Sequence, residues 1–216
     1  LRDYPNCRLH VDATQAVGRI QVSFDAADTM SLTAHKFYGL NGVGVLLRRR
    51  SVPLRPLIHG GASTTDVRSG TPAVALAQSL ACALELADGE RDARNAVVRR
   101  HNERLRRALA AYPFVHINSP EDAVPHILNL SVDGVKGTVI RRELDKLGVC
   151  VSVKSACSTD GLPSAAVMAV CGDRRRALSS WRVSLSHLTT DAEIDGFLSA
   201  FDRVCRALVT DWSNDK

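Results

Sequence analysis

Apolar and polar positions change period several times along the chain. A short apolar run from Arg8 to Val11 ends at Asp12, a second from Met30 to Ala34 ends just before Lys36, and Gly42 to Leu47 makes a third. Runs of this length between polar turns predict strands of a buried mixed sheet, and Thr14 to Val17 can open a helix after the first. Residues 51–71 hold Pro53, Pro56, Gly60, Gly61 and Gly70 without any period, which predicts a loop region. Ala73 to Ala87 predicts an apolar helix, and Asp92 to Ala111 a charged one with Val97, Val98, Leu105 and Leu109 facing inward. Beyond it, predicted strands at Phe114–Asn118, Ile127–Val132, Cys150–Val153 and Trp181–Leu185 alternate with predicted helices at Val135–Leu147 and Ser164–Val170. The last helix has the clearest signal: Thr190 and Glu193 are spaced as a capping box, and Ile194, Phe197, Leu198, Phe201, Cys205 and Leu208 share one face. The reading is an α/β protein of two parts, residues 1–91 and 92–216, divided where the long charged helix begins.

Composition narrows the class. The chain has 216 residues, 45% of them apolar, yet no segment approaches the roughly 18 uncharged apolar residues of a membrane helix. Leu1-Arg2-Asp3-Tyr4-Pro5 has no apolar signal core and no initiator Met, so the start reads as internal to a longer protein or as a truncated reading frame. The net charge of +5 comes from 23 Arg and 5 Lys, with clusters at Arg48–Arg50, Arg99–Arg100, Arg104–Arg107 and Arg174–Arg176. Glu90, Asp92 and Glu103 interleave with these clusters and no aromatic residues alternate with them, so they read as solvated faces and not as a nucleic-acid footprint. The six cysteines form no C-x-x-C pair, and Cys82 and Cys205 lie on apolar helix faces where they are expected to be buried. A reducing cytoplasm is the expected compartment, with free thiols available for chemistry.

The candidate chemistry lies at the strand ends, where α/β sheets carry their ligands. Lys36, in Thr33-Ala34-His35-Lys36-Phe37-Tyr38-Gly39, follows one strand, and Asp12 ends an earlier one. Pyridoxal 5'-phosphate (PLP) uses such a pair: an amine to take its aldehyde, and a carboxylate to keep its ring nitrogen protonated. Thr33 and His35 flank the lysine with groups able to hold a phosphate, and Gln15 lies three residues beyond Asp12. Thr71 precedes a predicted helix, a position suited to anions. Arg182 is a charge in an apolar strand and requires an anionic partner. Cys157, in Lys154-Ser155-Ala156-Cys157-Ser158, is a thiol in a small, polar, positive setting that favours the thiolate. His10, His59, His101 and His116 receive no role.

These stretches resemble the cysteine desulfurases, PLP enzymes of the class V aminotransferase group. The matching segments are Val11–Gln15, Ala34–Gly39, His59–Gly61, Arg68–Thr71, Ser155–Ser158 and Trp181–Ser184, in the family's order, and the similarity runs from residue 9 to about residue 208. The resemblance implies fold type I of the PLP-dependent transferases, with residues 1–91 the C-terminal part of the large cofactor domain and 92–216 a small C-terminal domain carrying the cysteine loop. It implies Lys36 as cofactor anchor and proton carrier, Asp12 and Gln15 on the ring, Thr33, His35 and, across a homodimer interface, Thr71 on the phosphate, and Arg182 on the substrate carboxylate. Cys157 would take sulfur from L-cysteine as a persulfide, leaving alanine, for a sulfur-acceptor or iron–sulfur scaffold protein. A selenocysteine or C–S lyase working without a persulfide, or a truncated interaction module, remains an alternative. Departures are Leu40 in place of the usual proline, Ala62-Ser63-Thr64-Thr65 after the His-Gly-Gly segment, and Lys154 before Ser-Ala-Cys. The family's upstream phosphate turn and ring-stacking histidine are not in this sequence, so the chain is expected to represent the C-terminal half to two-thirds of such an enzyme.

Overall fold

The computed structural model describes residue 4 and residues 6–61, 67–153 and 163–209. The chain divides into two compact units, Leu1–Asp92 and Ala93–Lys216.

The first unit is built on a three-stranded mixed sheet: β1 (His10–Asp12) pairs parallel with β2 (Thr29–Thr33), and β2 pairs antiparallel with β3 (Gly44–Arg48). Val11, Met30, Leu32 and Val45 face a small core completed by Ala13, Val17, Ala34 and Phe37 and by Ala83 and Ala87 of α1 (Val74–Gly89). The period-two alternation of strands puts His10, Asp12, Thr29, Ser31 and Thr33 on the opposite face. That face is polar and reaches solvent, so this sheet is buried on one side only, against the expectation of a sheet buried on both. The apolar residues at every second position explain the difference: a doubly covered strand reads as a continuous apolar run. Thr14–Arg19 forms successive turns and not the expected helix. Ala83 and Ala87, one helical turn apart, are the buried residues of α1; Cys82 points off this narrow stripe and is exposed, contrary to its expected burial.

The second unit has an antiparallel sheet in the order β4-β5-β6, from β4 (Val115–Ile117), β5 (Ile127–Val132) and β6 (Trp181–Ser184). Its core unites Leu128, Leu130, Trp181 and Val183 of the sheet with three helices: α2 (Arg91–Leu109), α3 (Gly137–Asp145) and α6 (Asp191–Leu208). On α2 the buried positions are Val98, His101, Asn102, Leu105 and Leu109, while Val97 is only half-buried. Asn102 satisfies its amide by donating to the Pro125 carbonyl (2.9 Å) and accepting from Arg106 Nε (2.8 Å), which is what lets a polar residue enter the core. Between α3 and β6 lie two short helices, α4 (Ala165–Cys171) and α5 (Arg174–Ser179). The second of these was read from sequence as a solvated arginine cluster. Its start is set by Asp173, whose Oδ1 accepts from the amides of Arg175 (2.7 Å) and Arg176 (3.2 Å). The expected strand at Cys150–Val153 reduces to one bridge, in which Ser152 and Arg182 exchange backbone hydrogen bonds.

The capping box on α6 is present: Thr190 Oγ1 accepts from the Glu193 amide (3.2 Å), and Glu193 Oε2 accepts from the Thr190 amide (2.7 Å). The Thr190 amide and hydroxyl, with the nearby His101 ring, hold the Glu193 carboxyl below its ordinary value. A carboxylate whose folded value lies below its unfolded one stabilises the fold fully above the unfolded value, near 4.3 for glutamate, and loses that contribution as pH falls through the folded value. Urea midpoints measured against pH are therefore expected to fall on acidification in the wild type, with a smaller fall in Glu193→Gln, which keeps the cap but does not titrate.

Candidate active site

Because β1 and β2 run parallel with Asp12 paired to Ser31, Asp12 and Thr33 both end their strands at the same side of the sheet. The chain leaves β2 through a single 3₁₀ turn, Ala34–Lys36, and this turn carries the lysine. Its geometry is tightly specified. The Ala34 carbonyl accepts from the amides of both Phe37 (3.0 Å) and Gly39 (2.9 Å). Tyr38 between them adopts a left-handed backbone (φ 72°), uncommon for a bulky residue and a kind of strain that persists where surrounding structure demands it. Gly39 must lack a side chain, since a Cβ would come within 2.7 Å of the Ala34 Cβ and 3.1 Å of the Ala83 Cβ on α1. Lys36 is thus held half-buried beside the strand ends by a turn clamped to a helix.

Thr33 Oγ1 donates to the Val43 carbonyl (2.9 Å) and lies 3.1 Å from His35 Nδ1. With the hydroxyl hydrogen committed to Val43, His35 Nδ1 is the donor of the second bond. Threonine hydroxyl, imidazole and lysine therefore cluster within four consecutive residues. Asp12 is exposed, and its Oδ1 accepts from the Thr14 amide (3.0 Å). The Thr14 hydroxyl and amide, then the Ser31 hydroxyl and the His10 ring, hold this carboxyl below its ordinary value and keep it charged. Gln15 lies exposed in the turns that follow Asp12, without a helix to orient it.

The remaining candidates are set apart. Thr71 is exposed, outside any element and three residues before the first residue of α1. Arg182 belongs to the second unit, on β6; its Nε is buried and has no hydrogen-bond partner among the described residues, so its guanidinium still calls for an acceptor. Cys157 and its neighbours Lys154–Ser158, and likewise Ala62–Thr65, lie outside the described residues. Two grooves, of about 420 Å³ beside Cys150 and Phe197 and about 400 Å³ between α1 and the apolar face of the first sheet, are lined by none of the candidate residues. Asp12 and Thr33 lie on the open polar face instead. The residues overlooked in the sequence are His10, Thr29 and Ser31, which share that face with Asp12; the i, i+2 spacing of His10 and Asp12 was the signal for it.

The donor set fits PLP. A carboxylate held charged suits the ring nitrogen, an amine within a rigid turn suits the aldehyde, and a hydroxyl and an imidazole beside it suit a phosphate.

Comparison with known proteins agrees. The family model described as Aminotransferase class-V matches residues 1–197. A NifS/IcsS protein homolog of Lactobacillus delbrueckii subsp. bulgaricus is 34% identical over 94% of this chain and 54% of its own length. A cysteine desulfurase of Cereibacter sphaeroides is 38% identical over 88% of this chain and 49% of its own. Among solved structures, a NifS-like protein superposes with a TM-score of 0.84 at 32% identity, covering 96% of this chain and 55% of that one. A NifS-like protein from Rickettsia africae gives 0.81 at 27%, covering 92% and 54%. The chain therefore spans about half the length of the curated relatives it matches. Its two α/β units have the fold of about half of a PLP-dependent fold type I protein. The chain belongs to the class V aminotransferase family, whose members depend on PLP.

Among the described residues no helix is long and apolar enough to cross a membrane.

Proposed function

We propose that this chain works in a PLP-dependent L-cysteine desulfurase. The observation that carries the reading is the strand-end arrangement: a carboxylate held charged at the end of β1, beside a parallel β2 that runs into the clamped turn bearing Thr33, His35 and Lys36. The relatives named cysteine desulfurase support the choice of reaction. In this reading residues 1–91 are the C-terminal part of the large cofactor domain and residues 92–216 the small domain.

Lys36 anchors the cofactor and moves the proton at the substrate Cα. Asp12 holds a proton on the ring nitrogen by charge, and Gln15 hydrogen-bonds the phenolic oxygen. Thr33 and His35, with Thr71 contributed across a homodimer, hold the phosphate. Arg182, whose Nε has no hydrogen-bond partner among the described residues, binds the substrate α-carboxylate in the bidentate manner of guanidinium. When bound, PLP supplies the aldehyde that takes up amines and the electron sink that weakens bonds at Cα. The Cys157 thiolate attacks the sulfur of L-cysteine; an S–S bond forms, the substrate C–S bond breaks with its electron pair left to the Cβ side, and Cβ gains a proton, so the products are alanine and a Cys157 persulfide for a sulfur-acceptor or iron–sulfur scaffold protein.

The test is alanine release from L-cysteine by the protein carrying this chain, supplied with PLP. Cys157→Ser is expected to abolish alanine release while the cofactor absorption band remains. Undiminished turnover in that variant would replace the reading with a lyase that works without a persulfide.

A further inference from the structure

Strand alternation puts Arg182 on the polar face of the second sheet, away from the core that holds Leu128, Leu130, Trp181 and Val183. Its cross-strand neighbours are both neutral. Asn129 of β5 is its partner in the sheet register, and Ser152 is its partner in the single bridge. Side chains directly opposite in an antiparallel pair share a face, with Cβ atoms about 4.5–5.5 Å apart. The Arg182 Nε is buried without a hydrogen-bond partner among the described residues, and neither neighbour supplies a carboxylate. The position lacks an anion.

Donor accounting fixes how the Asn129 amide is turned. Arginine only donates, so the bond from Arg176 Nε makes Asn118 Oδ1 the acceptor. A second bond, from Arg176 to the Ile117 carbonyl (3.0 Å), holds the guanidinium in place. Asn118 Nδ2 is then the donor, and it reaches Asn129 Oδ1 at 2.7 Å and Ser131 Oγ at 2.8 Å. The strand order β4-β5-β6 sets Asn118, which follows β4, and Arg182 on opposite sides of Asn129. With its oxygen committed toward Asn118, the Asn129 amide leaves Nδ2 facing the other way, and no described residue accepts from that nitrogen.

We infer that Asn129 is a second ligand of the anion that Arg182 takes, its Nδ2 donating to the same carboxylate as the guanidinium, with Asn118 and Arg176 as positioning residues that hold the amide this way round. That the anion is the α-carboxylate of L-cysteine rests on the function proposed above; the paired donors do not. An arginine and a neutral amide can donate to both oxygens of a carboxylate while matching its single charge. The hold on Asn129 matters because a flipped amide would offer Oδ1 to Arg182 and fill the position with an internal bond.

The experiment is an NMR titration of the whole chain, without PLP, with sodium acetate at constant ionic strength. The Arg182 Nε–H and Asn129 Nδ2 protons are expected to shift together with one midpoint. Asn129→Ala is expected to raise that midpoint about 10-fold, as for loss of one hydrogen bond to a charged group. Asn118→Ala, which frees the amide to flip, is expected to raise it by a smaller factor. In the protein carrying this chain, supplied with PLP, Asn129→Ala is expected to raise KM for L-cysteine with little change in kcat. Acetate that moves neither proton, a shift of Arg182 with Asn129 Nδ2 unmoved, or an Asn129→Ala midpoint equal to wild type would each overturn the inference. The wild-type shifts decide the matter even if Asn129→Ala fails to fold. The acetate titration needs neither PLP nor L-cysteine, so a failure of the desulfurase reading leaves it readable, and a failed titration leaves that reading standing.

Discussion

Lys36→Ala is expected to abolish covalent capture of PLP. In the wild type, incubation with PLP followed by borohydride reduction should place the label on the peptide containing Lys36, and in the variant that label should disappear. The expectation is strong because competing amines are few: the chain has 5 lysines. Among the described ones, Lys146 is held by Glu143 at 2.7 Å, and Lys136 precedes α3 in the other unit. Among the described lysines only Lys36 stands in a turn at the carboxyl ends of parallel strands, with an acid at the end of the neighbouring strand. Lys36→Arg keeps the positive charge but stays protonated at any working pH, so it separates electrostatic retention of the phosphate from capture of the aldehyde. It should bind PLP reversibly and trap none. Loss of the proton carrier at Cα would slow any remaining turnover by about 100- to 10,000-fold. Label retained at full level in Lys36→Ala would remove the foundation of the functional reading.

The elements legible from sequence were those whose period and punctuation agree. β5 was read with its observed bounds, and α6 announced itself through Thr190, Glu193 and a face of apolar residues. α5 was missed because its arginines suggested only charge, while its start depends on a single Asp173 side chain reaching two amides. The expected strand near Cys150 was drawn from apolar composition, but strand identity requires a partner ladder, and there the ladder amounts to one bridge. At the site, the candidate lysine and acid were visible in the sequence through the strand ends they follow. Two features were not, since each depends on tertiary contact: the clamp of Gly39 against Ala34 and Ala83, and the two hydroxyls that bracket the His10 ring. Strand parity would have put His10 on the face of Asp12, but only the register of β1 against β2 sets His10 beside Thr29 and Asp12 beside Ser31.

Phe201→Ala is expected to produce the largest loss of stability of any single truncation in the second unit. Phe201 is fully buried at the centre of α6, with its ring 5.5 Å from Tyr112 edge-on, 5.7 Å from Trp181 and 5.9 Å from the stacked Phe197. Truncation removes both the transferred surface and the partner of three aromatic contacts; buried Phe→Ala changes cost about 3–5 kcal/mol. Against a typical domain stability of about 5–15 kcal/mol, that loss is a third or more of the whole in many cases. With a urea slope of about 1–3 kcal/mol/M, the midpoint should fall by at least about 1 M. Trp181, buried in the same cluster, makes the transition visible in fluorescence. Leu198→Ala, at a half-buried position three residues away on the same helix, is the control and should cost clearly less. The effect belongs to this unit because its core joins 17 buried apolar residues, whereas that of the first unit joins 8, half of them alanine, among the described residues. Equal midpoints for Phe201→Ala and Leu198→Ala would mean that α6 is not seated on the sheet through its aromatic face. The position of Arg182, which follows Trp181 on β6, would then lose its support as well.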